Sequence, residues 1–188
     1  MNTSILVFLA ITVLVAIFTI IINNKIIFKK NQVDQAYGSI EIYLKKRFDL
    51  LPNLAAMVKK YMEHEKEILL KVTELRSLVE SAIDQKEKIQ ASNELTKILG
   101  GLSITLENYP ELKADKQFLH LQYEVSEMED QISAARRAFN AAVVQYNNQI
   151  QMFPSSLIAG IRKDEKKLLL EIPISDQKEV NLNQLLNS

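Results

Sequence analysis

The stretch FLHLQYEVSEMEDQISAARRAFNAAVVQYNNQIQMF, residues 118–153, sets Phe118, Val125, Ile132, Phe139, Tyr146 and Phe153 seven residues apart. Leu121, Met128, Ala135 and Ala142 fill the companion positions, so an a/d seam runs for about five heptads, as in a coiled coil or a long bundle helix. Pro154 stops it. A helix with such a seam needs other helices to cover it, and the chain upstream supplies them.

Val33, Tyr37, Ile40, Leu44, Phe48 and Leu51 recur at three and four, the spacing of an amphipathic first helix. Pro52 interrupts that pattern, and Asp49 before it has the chemistry of an N-cap, so a turn is expected at 49–53. Leu54, Val58, Tyr61, Ile68, Val72, Leu75 and Val79 mark a second helix ending near Ser81 to Gln85. A third covers Lys86 to Glu107, with Ile89, Leu95, Ile98, Leu99, Leu102 and Leu106 apolar. Gly100 and Gly101 lie inside it, either as a tolerated kink or as a point of close approach by a neighbouring helix. Asn108, Tyr109 and Pro110 make the loop before the seam helix. Four amphipathic helices with short connections predict an all-α fold, an antiparallel four-helix bundle over residues 23–160. In that arrangement 49–53 and 108–110 share one tip, 153–160 lies near the other end, and 161–188 is a mostly disordered tail.

The N-terminus decides where the bundle sits. ILVFLAITVLVAIFTIII, ending at Ile22, carries no charge, and Lys25, Lys29 and Lys30 follow it. A helix over residues 4–22 rises about 28 Å, close to the ~30 Å hydrocarbon core of a bilayer. No basic residue precedes the run and no small-residue cleavage pattern follows it, so it reads as an uncleaved transmembrane anchor. The lysines on the C-terminal side place the domain in the cytoplasm, with the N-terminus outside.

Lys plus Arg and Asp plus Glu each number 23, a balance that provides no field for nucleic acid. With no Cys there is no disulfide, thiolate nucleophile or cysteine metal site. The two histidines, His64 and His120, lack the Glu three positions earlier that a carboxylate-bridged metal bundle requires. His64-Glu65 opens like a zinc-protease helix, but Leu69 stands where the second His belongs. There is no phosphate loop, dinucleotide fingerprint or nucleophile elbow. The expectation is a non-enzymatic protein without cofactor or metal.

The candidate functional residues are polar groups in apolar places. Glu65 stands on the second-helix stripe between Tyr61 and Ile68, where a carboxylate needs a partner; Lys97, Gln122 and Tyr123 are level with it. It reads as a structural pair that fixes register, with a functional carboxylate as the alternative. Arg136, Asn140 and Asn147 form a polar ridge beside the seam. Asp49, Asn53 and Tyr109 stand at the expected tip, as a docking patch or as loop packing.

LKKRFDLLPNL at 44–54, VKKYMEHE at 58–65, ENYPELKADKQFLHLQ at 107–122 and AARRAFNAAVVQYNNQIQMFPSSLIAG at 134–160 together resemble the LemA family of bacterial membrane proteins. The resemblance implies a four-helix bundle on one anchor and no established catalytic activity. The family commonly has Trp near Tyr37 and two arginines where Lys46 and Arg47 stand here, and IRKDEKKLLLEI replaces its usual Gly- and Phe-containing ending. The function expected is a membrane-anchored scaffold or adaptor for a protein partner, of the membrane-protease or envelope-stress class that the resemblance implies. A lipid- or envelope-organising protein is the alternative, and self-association between copies is left open.

Overall fold

A computed structural model describes residues 3–61, 85–105 and 109–171, with Leu70, Thr73, Glu74 and Ser77 described singly, all four helical. Every regular element among the described residues is an α-helix. They are α1 (Thr3–Tyr61), α2 (Gln85–Thr105), α3 (Pro110–Ala114), α4 (Lys116–Gln151) and α5 (Ser155–Arg162). The chain divides into two compact units, Met1–Ile40 with Ala134–Ile172, and a second within Glu41–Ser133.

In the first unit α1 begins as the apolar run. Its large side chains from Ile5 to Ile21 are mostly exposed, as a lipid-facing surface would be, and the segment is long and apolar enough to cross a membrane. Burial starts at Ile22 and continues through Ile26, Val33, Tyr37 and Ile40, one stripe of helical period. Ala135, Phe139, Val143, Tyr146 and Ile150 of α4 are buried in the same unit. Tyr37 meets Phe139 edge to face, centroids 5.9 Å apart, and Lys29 Nζ donates to Gln145 Oε1 at 2.7 Å. The contacts climb one helix as they descend the other, so the pair is antiparallel.

Phe153 does not belong to the seam. It is 81% exposed, whereas Val143 and Ile150 are buried in place of the expected Ala142 and Phe153. A straight helix has 3.6 residues per turn, so a strict seven-residue repeat drifts by about 20° per heptad. Over five heptads the buried line slides onto Val143 and Ile150, and α4 has ended at Gln151 before Phe153 is reached.

In the second unit Leu44, Phe48, Leu51, Leu54 and Val58 of α1 are buried with Ile89 and Leu95 of α2, Leu112 of α3, and Phe118, Leu121 and Ile132 of α4. The expected turn at 49–53 is absent: α1 runs through Pro52 to Tyr61. An interior proline costs a helix about 3 kcal/mol, but each fully buried aliphatic side chain returns about 1.5–3. Leu51, Leu54 and Val58 continue the stripe of Leu44 and Phe48 only if the helix continues, and Pro52 itself lies on the exposed side. The first turns of the expected second helix therefore belong to α1, and most of the remainder lies outside the described residues. Glu41–Lys88 and Arg47–Ser92 contacts make α2 parallel to α1. Arg47–Glu129 and Tyr61–Asp115 make α4 antiparallel to it.

A methyl group built on Gly100 would meet nothing within 4 Å, so no neighbour demands a glycine there. Gly100→Ala is accordingly expected to stabilise the domain by about 0.5–1 kcal/mol, read as a higher melting temperature. A drop would reveal a close approach at this turn.

Candidate functional site

The second unit is held by a buried cation. Arg47 is 1% exposed, one helical position before Phe48 on the apolar stripe. Its Nη2 forms an ion pair with Glu129 Oε2 of α4 at 2.5 Å and donates to Thr96 Oγ1 of α2 at 3.1 Å. Its Nη1 donates to Ser92 Oγ at 3.2 Å, and Thr96 Oγ1 lies 3.0 Å from Glu129 Oε1. One guanidinium thus ties α1, α2 and α4 at a single level. Only the planar fork of Arg reaches three acceptors in this way, whereas the neighbouring Lys46 is exposed and lies over the Tyr43 ring. Of the two positions that the resemblance marks as arginines, the buried one keeps Arg.

The turn into α4 is fixed from the end of α1. Tyr61 Oη donates to Asp115 Oδ2 at 2.8 Å, and Asp115 Oδ1 accepts from the backbone of Gln117 and Phe118, capping α4. The Tyr61 hydroxyl, and then those backbone donors, hold the Asp115 carboxyl below its ordinary range. A carboxylate depressed on folding stabilises the fold above its unfolded pKa, and that contribution is lost as pH falls through the folded value. Tyr61→Phe is therefore expected to shift acid unfolding to higher pH; an unchanged acid midpoint would dissociate the hydroxyl from this cap.

In the first unit the polar ridge of α4 holds the chain that follows α5. Asn147 Nδ2 donates to Lys167 O at 2.9 Å, and Lys167 N donates back to Asn147 Oδ1 at 3.0 Å. Asn140 repeats this with Leu170, both bonds at 2.9 Å. Seven residues of helix rise about 10.5 Å and three residues of extended chain span about 10 Å, so the two amides meet the returning chain in register. Each amide acts as a neighbouring β-strand would. Lys167 Nζ adds an ion pair with Asp34 of α1 at 2.6 Å.

Residues 163–171 are therefore not a disordered tail. Lys163, in the left-handed region at φ 57°, ends α5 and turns the chain back along α4. α5 itself takes up Ser155–Arg162 and so extends past the predicted domain boundary at residue 160. Arg162 Nη1 donates to Asn23 Oδ1, and its Nε pairs with Asp164 at 2.7 Å. Burial, with Asp164 close by, pushes the Tyr146 hydroxyl pKa up.

Of the residues singled out in the sequence, Asn140 and Asn147 work together as this clamp, and Arg136 is buried on the same helix. Asp49 and Asn53 are exposed positions on the unbroken α1, and no tip forms there. Tyr109 precedes α3, half-buried, in the segment that Tyr61 touches through Asp115. Glu65 and His64 lie outside the described residues. Arg47 was missed, although the argument applied to Glu65, a charge on an apolar stripe, points to it equally. Among the described residues no three His, Cys, Asp or Glu side chains converge as metal ligands do.

The clamp grips backbone, so side chains should matter little to it. Asn147→Ala or Leu170→Pro is expected to speed tryptic cleavage after Lys166 and Lys167 about tenfold, as the loss of one to two hydrogen-bonded contacts implies. Leu168→Ala should leave the rate unchanged, and equal rates in all three variants would refute the clamp.

An all-α protein with one candidate membrane span, a domain growing from the same helix and polar groups spent on joining its elements is the class these features define. The chain belongs to the LemA family, whose model matches residues 36–183. It is 28% identical over 137 residues to Protein LemA of Metamycoplasma hominis. That match takes in 72% of this chain and 63% of the relative, so the chain spans less than two thirds of that protein. It is also 35% identical over 63 residues to Magnetosome protein MamQ 2 and Magnetosome protein MamQ 1 of Paramagnetospirillum magneticum, 34% of this chain and 23% of each of those.

Proposed function

We propose that this protein is a membrane-anchored, non-enzymatic scaffold or adaptor whose helical domain stands in the cytoplasm and offers its surface to a protein partner. The observation that carries this reading is the use of its interior polar groups. Arg47 is consumed by Ser92, Thr96 and Glu129, and Asn140 and Asn147 by the returning chain, so these groups serve assembly of the domain. Lys25, Lys29 and Lys30 directly after the apolar run support the orientation. The partner class the family resemblance favours is a membrane protease or a component of an envelope stress response.

Proximity labelling with the full chain in its native membrane tests the reading. A scaffold marks the same one or two proteins in every replicate, and diffuse labelling of abundant neighbours would overturn it. A reporter fused after Ser188 is expected to behave as cytoplasmic; activity on the outer side would reverse the orientation.

A further inference from the structure

We propose that α5 is a membrane foot: a short amphipathic helix whose apolar side enters the headgroup boundary of the same bilayer that α1 crosses. The inference rests on α1 spanning that bilayer and adds a second, peripheral attachment.

The position of α5 follows from contacts within its own unit. Below the Lys29–Gln145 contact α4 descends six more residues to Gln151, about 9 Å, which on α1 reaches the level of Asn23. Arg162 donates to Asn23, the residue immediately after the uncharged run ends at Ile22. Gln149 Nε2 donates to Ser155 Oγ at 2.7 Å, fixing the other end of α5 under α4. The helix therefore caps the end of the packed pair from which the span emerges.

Its faces are divided accordingly. Ser155 and Ala159, one turn apart, are buried against the protein. Leu157 and Ile161 lie about 200° round the helix from them and are 62% and 83% exposed. Met152 and Phe153, in the turn that leads into α5, are 65% and 81% exposed. Four large apolar side chains without protein cover stand at the depth where the span meets the headgroups. Lys25 and Lys163, both exposed, flank them with positive charge suited to anionic lipid. Interfacial helices of this pattern sit about 5–10 Å into the headgroup and acyl boundary.

The chain has no cysteine, so any introduced thiol is unique. Val13→Cys, Leu157→Cys, Ile161→Cys and Leu168→Cys in the full chain, each carrying an environment-sensitive fluorophore, are reconstituted into vesicles of phosphatidylcholine with about a third anionic lipid, enough to set up the surface potential that attracts basic flanks. Nitroxide lipids labelled shallow or deep act as quenchers. At Leu157 and Ile161 shallow quenching is expected to exceed deep quenching about twofold, as for a helix lying in the boundary. Val13 should be quenched most strongly by the deep label. Leu168 is 87% exposed on the extended segment that returns along α4, level with Asp34, and should escape both.

Strong quenching at Val13 with none at Leu157 and Ile161 would overturn the foot while leaving the span intact. An unquenched Val13 would instead strike at the span. Fluorophores at 157 and 161 that are shielded from water yet insensitive to lipid nitroxides would show a second protein copy on this face, and that result also overturns the proposal.

Discussion

Arg47→Ala is expected to lower the stability of the domain by about 3 kcal/mol, a large share of the 5–15 kcal/mol typical of a single domain. The substitution leaves the Glu129 carboxylate facing an apolar interior and withdraws the donors that Ser92 and Thr96 accept from. Glu129 is 28% exposed, so water compensates part of its loss and the cost falls at the lower end of the range for a broken buried pair. Arg47→Met combined with Glu129→Gln should recover most of it, because no unpaired charge then remains. Thermal melts of the purified full-length chain measure both variants. If Arg47→Ala melts within about 0.5 kcal/mol of the parent, as a surface change would, the guanidinium does not join the three helices.

The second large effect belongs to the α1–α4 packing of the other unit. Phe139 is 6% exposed and meets the Tyr37 ring at 67°. Phe139→Ala removes that contact and opens a cavity between two helices that cannot close around it, at a cost of about 3–5 kcal/mol. The exposed Arg137→Ala, two residues away, should change the melt by less than about 0.5 kcal/mol. Similar small losses at both positions would disprove the packing.

The difference between what could be read along the chain and what could not is physical. Val33, Tyr37, Ile40, Leu44, Phe48 and Leu51 are all buried because a helix buries whatever recurs on one side, and recurrence is visible in one dimension. Pro52 misled because its penalty is local whereas the burial of Leu54 and Val58 that outweighs it is tertiary. The seven-residue spacing of Asn140 and Asn147 was equally visible. What the pair holds was not, since backbone groups twenty and thirty residues away leave no mark in side-chain identity. Arg47 had a signal, a cation on an apolar stripe, that the run of charge around it, LKKRFD, made easy to pass over.

The absence of any break in α1 between the apolar run and Ile40 has a mechanical consequence. A protein joined to its anchor by a flexible linker is indifferent to how that anchor leans. If the candidate span crosses a bilayer, its lean and the lean of the α1–α4 pair are one angle. Transmembrane helices accommodate a thinner or thicker bilayer by tilting. Membrane thickness would thus set the attitude of the protein's juxtamembrane body directly, and a change in lipid composition would swing it as a lever swings about its fulcrum.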